Sequence, residues 1–308
     1  MSSRLWEASE NRKKNSELSR FEDFISKKFK KKFNNNFQKI HKWSVKNSSD
    51  FWDSFWDFSN ILGSKSKYKI RKSKILYKNK FLPNSKLNFG ENLLTKKTNE
   101  KAITFISENG YREIRNWDEL NKNVIKLIFS LKKMNLKKND RVAAYMPNTI
   151  ETVEAFIASS SIGLIWSSCS PDFGINGIVE RFSQIKPKVL FVTNEYFYNG
   201  KRIDILKRIP KILKKIPSIK HIVINNYPGQ FNIQRAIKLN NIKTWHWTKL
   251  MRTKISKKVF FPKFDFEHPL VILFSSGTTG KPKCICHRNG GVLLQHKKEH
   301  QLHCDIKE

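Results

Sequence analysis

The charge balance of this 308-residue chain is the first feature that restricts what it can do. Its 60 lysine and arginine residues outnumber 26 acidic ones and give a formal net charge of +34. The excess is carried mainly by lysine and is spread over nearly every segment, so we interpret it as surface composition and expect no specific nucleic-acid partner. The densest basic tracts, residues 65–80 and 201–220, are candidate anion-attracting faces. The chain is long enough to bury a core and to form about two domains.

The N-terminus and the cysteines indicate a cellular compartment. Residues 1–7 carry charge from the start and lack the apolar core of a signal peptide, and no window of the sequence reaches the length of a membrane span. Four cysteines stand without the spacing of a disulfide framework, which predicts reduced thiols: Cys169, Cys284, Cys286 and Cys304. We therefore expect a cytoplasmic protein.

The first part of the chain predicts surface-packed helices. Residues 17–32 alternate charge with phenylalanine and isoleucine at helical spacing, which is typical of an amphipathic helix. Residues 50–58 place Phe51, Phe55 and Phe58 on one helical stripe. Such aromatic stripes are more often core than cofactor sites, and we interpret this one as a surface on which the helix docks. The turn-rich residues 81–94 then indicate a passage into a new domain.

From residue 101 onward, short apolar strands alternate with helices. Strands are predicted at 102–106, 141–146, 164–167, 189–193, 221–225 and 270–274. Helices are predicted at 149–163 and 175–185 and, with Asn116 as the N-cap, through about Met134. This order indicates βαβ units and a doubly wound, largely parallel sheet, in which ligands bind at the carboxyl ends of the strands.

The last predicted strand leads directly into a loop suited to phosphate. The apolar run 270–274 predicts a strand buried on both faces, and the small residues after it predict a loop. Glycine lets backbone amides approach an anion, hydroxyl groups donate hydrogen bonds, and Lys281 and Lys283 supply charge. A Walker A loop would need glycine at Ser275 and a hydroxyl residue at Pro282, so that alternative fails at both ends.

The loop resembles the signature of the adenylate-forming superfamily, which includes acyl-CoA synthetases and peptide-synthetase adenylation domains, and it matches from Ser275 to Lys283. The resemblance implies a loop that closes on the ATP phosphates while a substrate carboxylate attacks the α-phosphate. Such chemistry depends on positioning and charge neutralisation. It places these residues on the phosphates: Ser275, Ser276, Gly277, Thr278, Thr279, Gly280 and Lys283.

Further stretches are similar to the acetoacetyl-CoA synthetases in particular. They are residues 41–45, 87–94, 161–188 and 290–300, so that the resemblance extends from Trp6 to His303. It implies an α/β fold in which an N-terminal helical and irregular region, residues 1–97, precedes an incomplete AMP-binding domain, residues 98–308. It also implies acetoacetate, ATP with Mg²⁺, and CoA as ligands. Acetyl-CoA synthetases share the loop but diverge over residues 166–174, which leaves acetate and other short acids as the alternative.

Two further assignments follow from the same resemblance. The turn formed by Asn199, Gly200, Lys201 and Arg202 corresponds to a loop that meets the CoA phosphates, although a Gly-Lys turn after a strand is also an ordinary connection. Trp166 is a candidate wall of the small-acid pocket, but a buried tryptophan more often fills a core.

A zinc site is an alternative for the C-terminal segment. His296 and His300 stand in a His-x-x-Glu-His pattern that is seen in zinc peptidases, and two histidines four residues apart can share a helical face. The same residues coincide with the acetoacetyl-CoA synthetase pattern, which needs no metal there. We therefore expect no metal at this position.

Several functional elements of the superfamily find no counterpart in the sequence. The resemblance implies that the adenine pocket, the ribose-binding aspartate, the magnesium-coordinating glutamate and the catalytic lysine lie beyond Glu308. The chain is accordingly expected to be a fragment or a truncated product that is inactive alone, with a companion polypeptide as one source of the rest. A non-catalytic remnant is the hypothesis of another class.

Overall fold

A seven-stranded sheet organises the larger of two compact units in the computed structural model, which describes residues 5–227, 242–255, 258–275 and 280–307. This unit comprises residues 88–264 and 268–288. The smaller unit combines residues 1–87, 265–267 and 289–308.

The helices and strands of both units follow in chain order. The helices are α1 (Glu10–Lys14), α2 (Glu17–Phe29), α3 (Phe37–Lys46), α4 (Ser48–Phe58), α5 (Phe89–Leu93), α6 (Trp117–Lys133), α7 (Ile150–Ser161), α8 (Ile175–Ile185), α9 (Ile209–Lys215), α10 (Trp247–Leu250) and α11 (Asn289–Lys298). The strands are β1 (Gly63–Ser64), β2 (Ile70–Arg71), β3 (Lys80–Phe81), β4 (Lys86–Leu87), β5 (Lys101–Ile106), β6 (Arg112–Asn116), β7 (Arg141–Tyr145), β8 (Ile165–Cys169), β9 (Val189–Thr193), β10 (Glu195–Tyr198), β11 (Lys201–Asp204), β12 (His221–Asn225), β13 (Lys243–His246), β14 (Phe264–Asp265), β15 (Pro269–Phe274) and β16 (Cys284–Arg288).

The large sheet is doubly wound, as the alternating pattern predicts. Its strand order is β13-β12-β9-β7-β8-β15-β16, and every neighbouring pair is parallel except β15 with β16. Along β7, Val142 and Ala144 join a core with α6 and α7, whereas Ala143 and Tyr145 join a second core with α8 and α9. Both faces of the central strands are therefore covered by helices, which confirms the predicted α/β architecture.

Local capping signals explain the helix boundaries in this unit. Asn116 accepts a hydrogen bond from the Glu119 backbone, and the Glu119 carboxylate accepts one from the Asn116 backbone, so α6 begins where its N-cap predicts. After α7, Gly163 adopts a φ of +77°, and a Cβ added there would lie 2.6 Å from the Phe264 ring. Glycine at 163 thus ends the helix and permits a close approach.

Strand β15 differs from its sequence prediction. We expected residues 270–274 to be buried on both faces, yet only Leu270 is buried among residues 269–274, and Leu273 is 47% exposed. The reason lies in its neighbour. β16 pairs antiparallel with β15 at the edge of the sheet, and its residues 284–286 are exposed. This end of the sheet is therefore less covered than its centre, and the prediction of a doubly buried strand was wrong.

The smaller unit has an aromatic core built from the predicted helices. Phe21 of α2 is fully buried and contacts the rings of Phe51, Phe55 and Phe58 at centroid distances of 5.6, 5.9 and 5.1 Å. The aromatic stripe of α4 is therefore the surface on which α4 packs against α2. Helix α2 ends at Phe29, three residues earlier than expected, because Lys30 adopts a left-handed conformation.

The same unit includes the last helical segment of the chain. The Lys297 ammonium donates to the Ser59 carbonyl at 2.6 Å, and the Asp305 carboxylate accepts from the Glu17 amide at 2.8 Å. Residues from the two ends of the sequence therefore complete one core. Across both units, every helix that the structure describes is too short or too polar to cross a bilayer.

Candidate functional site

The predicted phosphate loop connects β15 to β16. β15 ends at Phe274, and the amide of Ser275 donates to the Lys283 carbonyl at 3.1 Å, which closes the base of the loop. Ser276, Gly277, Thr278 and Thr279 lie outside the described residues. Because β15 is parallel to β8, the loop begins on the side of the sheet where the carboxyl ends of the parallel strands lie, as the fold class predicts.

The far side of the loop is held by a side chain of α8. Gln184 donates from Nε2 to the Pro282 carbonyl at 3.0 Å, and its Oε1 lies 3.6 Å from the Cys284 sulfur. Gly280 and Lys283 are exposed, and Lys283 has no ion-pair partner among the described residues. An exposed, unpaired ammonium beside a closed loop base is suited to contact an anion.

The predicted CoA turn is the tip of a β-hairpin that sequence reasoning missed. β10 pairs antiparallel with β11, and Asn199 and Gly200 connect them with φ values of +50° and +69°. Both residues are left-handed, which is the conformation of a type I′ turn and explains the Asn-Gly pair. Lys201 and Arg202 thus belong to a strand rather than to a loop. The Asn-Gly pair directly after the aromatic run at residues 196–198 was the available signal.

The electrostatics of the hairpin restrict which residue is available to a phosphate. The Arg202 guanidinium pairs with the buried Glu195 carboxylate, with Nε 2.5 Å from Oε2. Lys201 is exposed and has no ion-pair partner within the described part of the chain. Of these two cations, Lys201 is therefore the one free to meet an external anion.

A network of hydroxyl, carboxylate and guanidinium groups fixes the loop between β8 and α8. The buried Tyr145 hydroxyl donates to the Phe173 carbonyl at 2.8 Å and accepts from Arg208 Nη1 at 2.7 Å. The Tyr196 hydroxyl donates to Asp172, a contact that lowers the pKa of this carboxyl, while burial and Asp172 raise the pKa of Tyr196. These contacts join residues 24 to 63 positions apart, so no local sequence signal could reveal them.

Trp166 lies in the core of the larger unit. It is 4% exposed in β8, and its ring lies 5.7 Å from Phe156 and 5.8 Å from Phe191. Its position agrees with the interpretation as core. The role as a pocket wall remains a prediction.

His296 and His300 lie on the C-terminal segment of the smaller unit. Their rings are 6.4 Å apart, with His296 in α11 and His300 in a π-helical turn over Glu299–His303. Among the residues that the structure describes, no group of three histidine, cysteine, aspartate or glutamate side chains is placed to hold a metal ion. A zinc site here would therefore lack a third protein ligand from the described residues.

A buried carboxylate cluster in the larger unit also escaped sequence reasoning. Glu154 is fully buried, accepts from Asn123 Nδ2 at 2.9 Å, and lies 3.1 Å from Nε of Arg115. Burial raises its pKa to about 7. The neighbouring Glu151 also has a raised pKa, chiefly through burial. The half-buried guanidinium of Arg115 thus pairs with two carboxylates, Glu113 of the same strand β6 and Glu154 of α7.

This cluster predicts a measurable pH dependence of stability. Because the folded-state pKa of Glu154 lies above its unfolded value of 4.5, folding loses stability as the pH rises from about 4.5 to 7. Glu154→Gln should remove this loss and raise the free energy of unfolding at pH 8, relative to pH 5, by roughly 2–3 kcal/mol. Urea unfolding at both pH values measures it. The matched control is Glu180→Gln, because Glu180 is exposed, and its unfolding free energy should depend on pH as that of the wild type does. The prediction would be contradicted if the unfolding free energies of the wild type and Glu154→Gln depended equally on pH.

The doubly wound sheet, with a loop at the carboxyl end of β15, agrees with the result of the family comparison. The AMP-binding enzyme family matches residues 93–305, and the chain belongs to this family.

Similar proteins indicate the branch of the family. The chain is 36% identical over 304 residues to an acetoacetyl-CoA synthetase of Macaca fascicularis, covering 97% of this chain and 45% of the relative. It is also 36% identical to an acetoacetyl-coenzyme A synthetase of Rhizobium meliloti, covering 99% and 46%. The solved acetoacetyl-CoA synthetase of Streptomyces lividans matches with a TM-score of 0.89 and 27% identity over 99% of this chain and 46% of that one. The chain thus spans about half the length of these relatives.

Proposed function

We propose that this chain forms the N-terminal half of an acetoacetate–CoA ligase. In the first step a carboxylate oxygen of acetoacetate attacks the α-phosphorus of ATP, and pyrophosphate leaves. In the second step the CoA thiol attacks the acyl carbon of acetoacetyl-AMP, releasing AMP and a proton and forming acetoacetyl-CoA. The observation that carries the proposal is the similarity to acetoacetyl-CoA synthetases over nearly the whole chain.

The residues of this chain act mainly on the phosphates. Ser275, Gly280 and Lys283, with residues 276–279, would hold the β- and γ-phosphates, so that their positive field stabilises the charge on the departing pyrophosphate. Asn199 to Arg202, with Lys201 as the free cation, would meet the CoA phosphates. Mg²⁺ would arrive bound to ATP as part of the substrate. The described residues present no group of three ligands for it, so no step is assigned to it here.

The exposed edge of the large sheet is where the proposed ligase would continue. Leu273 and Ile285 are exposed large apolar residues on the last two strands, and β16 has a neighbour on one side only among the described strands. We propose that further polypeptide, continuous with this chain or supplied as a companion, covers this edge. We also propose a cytoplasmic location, where ATP and CoA are both available.

Acyl specificity gives the direct test of the proposed function. A polypeptide with this chain and the remaining length of the relatives should catalyse acetoacetate-dependent exchange of pyrophosphate into ATP. Acetate should support the exchange at least tenfold less well. Exchange with acetate but not acetoacetate would reassign the substrate, and exchange with neither acid would reject the proposal.

The 308-residue chain alone should show no acyl-adenylate formation. Only the phosphate-binding part of the proposed site is present, and positioning of both substrates is needed for nucleotidyl transfer. The assay is hydroxamate trapping of acetoacetyl-AMP with the purified chain, and the longer polypeptide is the positive control. Turnover by the purified chain at a rate comparable to the control would contradict the prediction.

A further inference from the structure

A basic cavity lies between the first turn of α8 and the exposed face of α9. Its volume is about 580 Å³, within the range of small-ligand sites, and both helices belong to the larger unit. The lining includes Gly174, Gly177, Arg208, Lys211, Lys214 and Lys215, with no acidic residue. We call it the α8–α9 cavity. It shares no residue with the loop at 275–283 or the turn at 199–202.

The four cations of the cavity differ in how they are held. Arg208 is anchored, because its Nη1 donates to the Tyr145 hydroxyl at 2.7 Å and to the Pro171 carbonyl at 3.1 Å. Lys211, Lys214 and Lys215 are exposed, and within the described ranges they have no acidic partner. The cavity thus combines one preorganised guanidinium with three ammonium groups whose charge is not neutralised by the protein.

The first turn of α8 adds backbone donors to the same cavity. Its N-cap is Gly174, which has no side chain to cap the helix, and the first helical hydrogen bond runs from the Ile178 amide to the Gly174 carbonyl. The amides of residues 175–177 therefore lack acceptors within the helix. Backbone N–H groups and the positive end of the helix dipole here reinforce an independent cluster of four cationic side chains.

We propose that the α8–α9 cavity binds a small ligand that carries a diphosphate or two adjacent phosphate groups. One phosphate group carries at most about two negative charges, so four cations match two phosphates better than one. The proposal does not depend on the proposed ligase activity, because it concerns binding to other residues. Nucleoside diphosphates and CoA both carry the required diphosphate.

A pair of substitutions at the N-cap tests the site with little risk to folding. No atom lies within 4 Å of a Cβ added at Gly174, and its φ of −66° suits any residue. Asp and Asn are equally good N-caps, so Gly174→Asp and Gly174→Asn should fold alike and differ mainly in one negative charge at the cavity. The parent for both is Lys283→Ala, which weakens binding of the probe to the phosphate loop.

The probe is inorganic pyrophosphate, titrated calorimetrically into the 308-residue chain at about 0.15 M salt, where surface charges are screened beyond about 8 Å. We expect saturable binding to the parent and to Gly174→Asn, and about tenfold weaker binding to Gly174→Asp. Equal affinity of the two N-cap variants would overturn the proposal, as would the absence of binding to the parent.

A second set of variants separates the cavity from the net charge of the chain. Lys211→Ala, Lys214→Ala and Lys215→Ala combined should weaken pyrophosphate binding more than tenfold. The matched control removes three exposed lysines from α6 in the same unit, at Lys122, Lys132 and Lys133, and should change the affinity less than twofold. Equal losses in the two triple variants would show a general charge effect and overturn the site.

Two further titrations identify the source of the diphosphate. ADP and CoA are each titrated into the Gly174→Asn and Gly174→Asp chains, and the ligand whose affinity falls with the aspartate is the type that the cavity takes. A single-stranded DNA oligonucleotide is the third probe. If only the oligonucleotide shows cavity-dependent binding, the assignment to a small ligand is wrong.

Discussion

Trp166→Ala should lower the free energy of unfolding by about 3–5 kcal/mol, the range found for large aromatic residues removed from cores. Trp166 is buried in β8, with the rings of Phe156 and Phe191 on its neighbouring elements. Alanine would leave a cavity among side chains that belong to α7, β8 and β9. Since domains are stable by only about 5–15 kcal/mol, this loss is a large fraction of the stability of the unit. Urea unfolding followed by circular dichroism measures the change.

The control variant for this position is Trp166→Phe, which keeps an aromatic ring and should retain most of the stability. The role as a pocket wall predicts instead that Trp166→Ala changes acyl specificity and leaves the stability unchanged. If Trp166→Ala unfolded at the same urea concentration as wild type, while the longer polypeptide lost discrimination between acetoacetate and acetate, the core interpretation would be wrong.

Lys283→Ala should lower kcat for adenylation about a hundredfold, which corresponds to about 3 kcal/mol of transition-state stabilisation. Lys283 is exposed at the base of the loop, and its carbonyl, not its side chain, holds Ser275. The ammonium can therefore be removed without breaking that backbone contact. Charge on the pyrophosphate grows as it leaves, so the loss should appear in kcat more than in the KM for acetoacetate.

Pyrophosphate exchange by the longer polypeptide measures this effect, and Lys281→Ala is the neighbouring control, because Lys281 is also exposed and cationic. His296→Ala tests the zinc alternative in the same assay, with metal content determined alongside. If Lys283→Ala left the exchange rate nearly unchanged while His296→Ala lost both bound metal and activity, the phosphate-loop interpretation would be wrong and the zinc alternative would be favoured.

The parts of the fold that sequence reasoning predicted well are those with local signals. Asn116 and Glu119 form a reciprocal cap within four residues, so the start of α6 could be read from the chain. The strands at 189–193 and 221–225 each contain a continuous apolar run, and the structure places both inside the sheet, with a paired strand on each side. The amphipathic pattern of α8 likewise gave the same bounds as the structure.

What sequence reasoning missed depends on contacts between distant residues. The exposure of Leu273 depends on the antiparallel pairing of β15 with the edge strand β16. The sequence of an apolar strand does not show whether its neighbour is a central strand or an edge strand. The cavity between α8 and α9 likewise requires Arg208 to reach Tyr145, 63 positions earlier. For the candidate site, the loop motif indicated phosphate chemistry, and the Asn-Gly pair was an unused local signal for the hairpin, whereas the Glu154 cluster emerged only from the fold.

The smaller unit combines segments that are synthesised far apart in time. Its core joins residues 1–87 to residues 289–308, with the entire larger unit between them. At translation rates of about 5–20 residues per second, some 200 intervening residues take roughly 10–40 s to emerge from the ribosome. During that time α2 and α4 lack the contacts that Lys297 and Asp305 later provide. Helices α2 and α4 therefore reach their final set of contacts only after the larger unit has been synthesised.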